Sequence, residues 1–130
     1  MESGVLHLSF DSPAIQTSLD GLDETRLDQV DFGVIGFDRQ MVVRRYNAYE
    51  SRAAGLQPER VLGHALFTQV APCMNNFLVA QRFEDTLANH ESLDETIPYV
   101  LTLRMRPVKV QLRLIAAADT AMQYVLVNRF

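Results

Sequence analysis

The segment FGVIGFDRQMVVRRYNAYE, residues 32–50, carries two kinds of local signal in succession. Phe32 to Phe37 and Met41 to Arg45 are rich in Val, Ile and Phe, and Asp38-Arg39-Gln40 supplies turn residues between them, so the pattern predicts a β-hairpin. Asn47 is followed three residues later by Glu50, the spacing of a helix N-terminal capping box, and the helix it opens should run to Gly55 as its C-terminal stop. A hairpin that passes straight into a capped helix starts an α+β fold.

Working toward the C-terminus, a second short helix should start at Pro58, followed by an irregular stretch from Leu66 to Cys73. Asn75-Asn76 is placed to cap a helix whose Phe77, Ala80, Phe83 and Leu87 fall on one face at three- and four-residue steps. Thr96 to Met105 alternates with Ile97, Tyr99, Leu101, Leu103 and Met105 on one face. Val108 to Leu114 alternates with Val108, Val110, Leu112 and Leu114 inward, and Met122 to Phe130 adds a last strand. Five strands, with helices grouped between the second and third, describe an antiparallel α+β sheet rather than a parallel α/β one. Toward the N-terminus, apolar stretches near Ala14 to Leu19 and Leu22 to Leu27 sit among turn signals and predict a helical cap. The expected division is a cap over 1–28 and a core over 29–130, together one domain.

Composition fits that size. The 130 residues are 48% hydrophobic and 22% charged, with 6 Gly and 5 Pro, an ordinary globular profile with a core large enough to enclose a small ligand. The single Cys excludes an internal disulfide, apolar runs such as Val34 to Phe37 are too short to span a bilayer, and a cytoplasmic location is the simplest expectation. A net charge of −4 disfavours nucleic acid as partner. That charge is segregated. Residues 1–31 hold seven acids against Arg26, a net −6, and residues 32–130 hold 11 bases against 9 acids, a net +2. Arg104, Lys109 and Arg113 share the non-core phase of their strands, so an acidic cap is expected to latch onto a basic outer face and to loosen with salt.

Three positions carry possible chemistry. Cys73, in Val70-Ala71-Pro72-Cys73, is open to three readings: a buried hydrophobe, a nucleophile or an attachment point, with Pro72 fixing the backbone ahead of the sulfur. Tyr46 and Glu50, four residues apart around the start of a helix, either donate together to one anionic oxygen or serve as strand packing and capping partner. A thiol enzyme pairing Cys73 with His64 or His90 has little context in its favour, and no Cys/His pair has metal-ligand spacing.

Taken together, Tyr46-Asn47-Ala48 with Glu50, Gly55, the Val-Ala-Pro-Cys run ending at Cys73, and Met105 before Pro107 and Lys109-Val110 resemble the photoactive yellow protein family, from about Leu27 to the C-terminus. PAS domains share this order of elements. The resemblance implies a PAS fold and a blue-light photoreceptor, not an enzyme, with p-coumaric acid as a thioester on Cys73. It implies that Tyr46 and a protonated Glu50 hydrogen-bond the chromophore phenolate, and that Met105 assists thermal return. Light would isomerise the double bond from trans to cis and Glu50 would pass its proton to the phenolate. The buried carboxylate left without a partner would then drive partial unfolding as the signal. Leu66, Phe67, Leu101 and Leu103 are expected to line the pocket. Ala54 stands where the family usually has a Thr, and Leu56 where it usually has an Arg; Arg52 lies on the same helical face. A shifted or mixed absorption is therefore expected. The implied partner is a downstream signalling protein or domain, which in similar multidomain sensors is a phytochrome or histidine-kinase region of the same chain. The alternative is a PAS module without chromophore that senses a ligand or dimerises.

Overall fold

The computed structural model describes residues 8–102 and 106–129. Two short helices, α1 (Ile15–Asp20) and α2 (Glu24–Leu27), precede strands β1 (Gly33–Phe37) and β2 (Val43–Tyr46) and helix α3 (Ala48–Ala54). A 3-10 turn (Pro58–Arg60), a π turn (Leu66–Val70) and a second 3-10 turn (Pro72–Met74) lead to α4 (Ala80–Ala88), then to strands β3 (Leu93–Leu101), β4 (Val108–Ala116) and β5 (Gln123–Arg129). The five strands form one antiparallel sheet in the order β2-β1-β5-β4-β3. The expected α+β class and five-stranded sheet are present.

Alternation along the central strands sorts side chains to two cores. Ile35, Phe37, Leu112, Leu114, Val125 and Val127 face the helices, where they pack with Leu66, Phe67, Met74, Val79 and Phe83. Val34, Ile115, Tyr124 and Leu126 face the opposite side and are covered by Phe10, Ile15, Leu19, Leu22 and Leu27 of the N-terminal segment. Cover on both faces explains why β1 is buried along its whole length and reads as a continuous apolar run. Each cap side chain so buried contributes about 1.5–3 kcal/mol at most.

Some readings are corrected at the edges of elements. Phe77 is 75% exposed, because α4 begins only at Ala80 and Asn76 instead closes a turn by accepting from the N–H groups of Leu78 and Val79. Val108, at the start of β4, is 39% exposed, since the inward phase of the strand takes effect only from Val110. Leu103, Arg104 and Met105 lie outside the described residues.

The cap is fastened differently from a salt-sensitive latch between exposed charges. Arg113 Nη1 donates to the carbonyls of Phe10 (2.9 Å) and Ser12 (2.8 Å), while its Nε and Nη2 hold Asp94 of β3 at 2.8 Å each. Arg45 donates to the carbonyls of Leu19 and Leu22 and to the Tyr124 hydroxyl, which itself donates to Asp20 at 2.6 Å. Lys109 is exposed. Both anchoring guanidiniums are largely buried, and each makes two of its four bonds to backbone carbonyls of the cap, which salt screens weakly. The Arg113 guanidinium holds the Asp94 carboxyl below its usual range, with its partial burial acting in the opposite sense. A lowered folded-state value means that this contribution is complete above about pH 4, the unfolded value, and is lost as pH falls through the folded one; it is modest because Asp94 is half-exposed. Arg113→Ala is expected to expose residues 8–30 to limited proteolysis at neutral pH, whereas molar salt leaves the wild-type cap protected. Salt-induced cleavage of the wild type equal to that of the variant would contradict this assignment.

Candidate functional site

Strand β2 ends at Tyr46 and α3 begins two residues later, so one strand end and one helical turn set the site. Asn47 makes that junction rigid. Its side-chain oxygen accepts from Glu50 N (3.1 Å) and Val34 N (3.0 Å), and its amide donates to the carbonyls of Phe32 (2.9 Å) and Leu27 (3.3 Å). The predicted cap is therefore present, and Gly55 closes the helix at φ 73°, a left-handed conformation that suits Gly. The reciprocal half of a capping box is absent from the Glu50 side chain, which turns instead into the interior.

Glu50 is 2% exposed. Its two oxygens accept from Arg129 Nη1 (2.7 Å) and Nη2 (3.0 Å), a bidentate pair. Gly33 lies directly beneath, and a Cβ there would overlap Glu50 Oε1, so the missing side chain of Gly33 is the cradle for this carboxylate. Gly33→Ala is expected to displace Glu50 and break the Arg129 pair, lowering stability by about 1–3 kcal/mol. Urea unfolding checks it: a loss that persists undiminished in a Glu50→Ala background would show that the clash lies elsewhere.

Tyr46 is also buried, with 5% exposed. Burial and the neighbouring Glu50 charge push its phenol well above the usual range, and Arg129 opposes this only in part. Tyr46 therefore stays a protonated donor at any ordinary pH. Burial works against the charge on Arg129, but the Glu50 carboxylate outweighs it and raises the Arg129 value.

Around this group, Leu66 and Phe67 sit in the π turn and Leu101 at the end of β3, all buried in the same core as Tyr46; Leu56 and Cys73 pack against that core at its margin. Phe67 meets Phe37 edge to face at 5.7 Å. Ala54 is buried one turn after Glu50, and the Ser51 hydroxyl ties the Leu56 carbonyl at 2.8 Å. Pro72 and Arg52 are exposed, and Met105 lies outside the described residues, so no contact of these three with the site is described.

Cys73 is a free, half-buried thiol in the 3-10 turn opened by Pro72. Its carbonyl accepts from the Tyr99 hydroxyl (2.6 Å) and from Asn76 Nδ2 (3.3 Å), and Asn76 also donates to the Tyr99 oxygen (2.6 Å). A cleft of about 670 Å³ opens beside Cys73 between this turn and strands β3 and β4. The residue types suit a small planar phenolic acid on chemical grounds: a half-buried thiol at the margin of an apolar core, a buried Tyr46 hydroxyl in that core, and the buried Glu50 carboxyl at the same helical start, although neither Tyr46 nor Glu50 lines the cleft beside Cys73. Positions that sequence reasoning missed are Arg129, Asn76 and Tyr99. Arg129 had a visible signal, since it shares the two-residue phase of Gln123, Val125 and Val127 and a cation on the core phase of a strand needs a buried partner. The Asn76–Tyr99–Cys73 clamp had none, because Tyr99 stands 26 positions from Cys73 and nothing local links them.

Comparison with known proteins supports the same reading. A family model described as the PAS fold matches residues 27–128. The photoactive yellow protein of Halochromatium salexigens is 32% identical over 120 residues, covering 92% of this chain and 95% of the relative, and that of Rhodothalassium salexigens is 27% identical over 94% and 97%. The photoactive yellow protein domain of the sensor histidine kinase Ppr from Rhodospirillum centenum superposes with a TM-score of 0.80 at 35% identity, covering 88% of this chain and 99% of that domain. With a relative above 30% identity matched over nearly its whole length, and with the strand-end Tyr46, the buried Glu50 and Cys73 arranged around one core, the chain belongs to the photoactive yellow protein family.

Proposed function

We propose that the protein is a blue-light receptor that carries p-coumaric acid as a thioester on Cys73. The observation that supports it best is that one apolar core holds the buried Tyr46 and takes Cys73 at its margin, with the buried Glu50 carboxyl close enough to Tyr46 to act on its phenol. When bound, the group supplies blue-light absorption and a trans–cis isomerisation. Tyr46 donates a hydrogen bond to its phenolic oxygen, and its raised phenol keeps that donor protonated. The buried Glu50 carboxyl shares one proton with that phenolic oxygen. Tyr99 and Asn76 pin the Cys73 carbonyl, so that the turn carrying the sulfur stays in register with the sheet. Leu66, Phe67 and Leu101 supply the apolar walls, Ala54 and Leu56 leave the network shorter and the gate apolar, and Met105 assists thermal return. Asn47 links Glu50 to the cap through Leu27 and to β1 through Phe32 and Val34, a physical route by which a change at Glu50 reaches the N-terminal segment. The output is a downstream signalling protein or domain, in keeping with the origin of one close structural relative in a sensor histidine kinase.

Reaction of the purified chain with an activated p-coumaric acid derivative tests this directly. The expected result is one coumaroyl mass increment and a visible band, both lost in Cys73→Ala. An increment that survives in Cys73→Ala, or no increment in the wild type, would overturn the attachment and favour a PAS module that senses some other ligand.

A further inference from the structure

The geometry points to Arg129 as the positioning residue that decides where the single proton shared by Glu50 and the chromophore's phenolic oxygen resides. This rests on the proposed function and goes beyond it. The buried carboxylate that proton transfer would leave is, in this chain, already provided with a counter-ion: two charge-assisted bonds of 2.7 and 3.0 Å from the last turn-free residue of β5. Arg129 reaches Glu50 because Gly33, paired with Val127, removes the side chain that would stand between them. The other titratable groups facing the pair are Tyr46, on the end of β2, and Tyr49, on the first turn of α3. Neither side chain can carry a positive charge, so Arg129 is the cation that answers the Glu50 charge.

A bidentate guanidinium binds a carboxylate far better than a carboxylic acid, because protonation removes the charge, weakens one oxygen as an acceptor and sets an O–H donor against the N–H donors of the fork. Arg129 therefore favours the distribution in which Glu50 is ionised and the proton sits on the phenolic oxygen. Without Arg129, two anions side by side in an apolar core are avoided by placing the proton on Glu50 and the charge on the phenolic oxygen. Proton count and total charge are the same in both distributions; only the location differs. A protonated phenol absorbs at shorter wavelength than its anion, so Arg129 gives the chain a mixed dark spectrum. It also limits how far the buried charge disturbs the fold after light, because that charge is paired.

The first arm uses the protein without chromophore. Infrared spectra across pH follow the carbonyl stretch of protonated Glu50, assigned as the band lost in Glu50→Gln. The band is expected to appear only at acid pH in the wild type, and to appear about one to three pH units higher in Arg129→Gln, with Arg129→Lys in between because it keeps the charge but not the fork. A Glu50 band already present in the wild type at neutral pH, or the same titration in all three proteins, would overturn the proposal. The second arm reads the loaded protein: Arg129→Gln raises the ratio of visible to near-ultraviolet absorbance by about tenfold or more, the same free energy expressed as colour. An unchanged ratio would overturn the role in the dark spectrum. Failure of the wild type to load at all would sink the chromophore reading, while the infrared titration would still decide the assignment of Arg129.

Discussion

Replacing Asn47 with Ala is expected to cost about 3–4 kcal/mol of folding stability. The side chain is fully buried and joins four separate pieces of backbone: the end of α2 through Leu27, the approach to β1 through Phe32, β1 itself through Val34, and α3 through Glu50. Truncation removes two acceptor and two donor contacts at once and leaves buried backbone groups short of a partner. Against a total of about 5–15 kcal/mol for a domain, that is a large fraction. In urea the midpoint should fall by about 1–3 M at an unchanged slope. Asn47→Asp refines the test, because it keeps the acceptor facing Glu50 N and Val34 N but turns the donor end into an oxygen aimed at two carbonyls. It should be at least as damaging as Ala at neutral pH and should improve on mild acidification. An Asn47→Ala midpoint within error of the wild type would mean that the four contacts do not act together.

The second large effect concerns the buried ion pair. Arg129→Ala leaves the Glu50 carboxylate enclosed with no cation and is expected to cost about 3–5 kcal/mol, while the double substitution Glu50→Gln with Arg129→Met, which removes both charges and retains most of the volume, should cost far less than either single change to Ala. The reason is asymmetric: the pair has already met its desolvation, so deleting one partner exposes the full penalty of the other, whereas deleting both removes the penalty itself. Chemical denaturation of the wild type, Glu50→Gln, Arg129→Met and the double variant closes the cycle. Additive single effects would show that Glu50 and Arg129 do not interact in solution.

How much of this was legible beforehand varies with the range of the interaction. The hairpin around Asp38, the Asn47 cap and the Gly55 stop are local, and each was readable because turn chemistry and capping act within four residues of chain. The strand phases were readable where both neighbours are present: Leu112, Leu114, Val125 and Val127 alternate inward as expected. The same rule failed at Val108, the first residue of β4, which pairs with Leu101 of β3 but lies before the β4–β5 register that starts at Val110. Phe77 failed for a different reason. Its spacing to Ala80 and Phe83 is helical, but the Asn76 side chain bonds the N–H groups of Leu78 and Val79 and holds Phe77 in a turn before the helix begins.

For the site, Tyr46 and Glu50 are legible together because four residues separate them; the Glu50 backbone takes the Asn47 cap while its side chain turns inward to Arg129. Its partner Arg129 stands 79 positions away, and no local pattern links them; only the phase of β5 points inward. The charge segregation between residues 1–31 and the remainder correctly indicated that the N-terminal segment docks, yet the docking uses Arg45 and Arg113 against carbonyls, with acid–base pairing as a minor part. Net charge describes a field, whereas the fastening depends on which donors reach unpaired backbone oxygens.

Loading the chain with p-coumaric acid and recording visible and near-ultraviolet absorbance before and after a blue flash shows whether Cys73, Tyr46 and Glu50 form a light-sensing site. If they do, a dark band bleaches on the flash and returns in darkness, is absent in Cys73→Ala and changes shape in Glu50→Gln. A loaded protein whose absorbance is unchanged by the flash, or whose spectrum and recovery are indifferent to Glu50→Gln, would rule that site out.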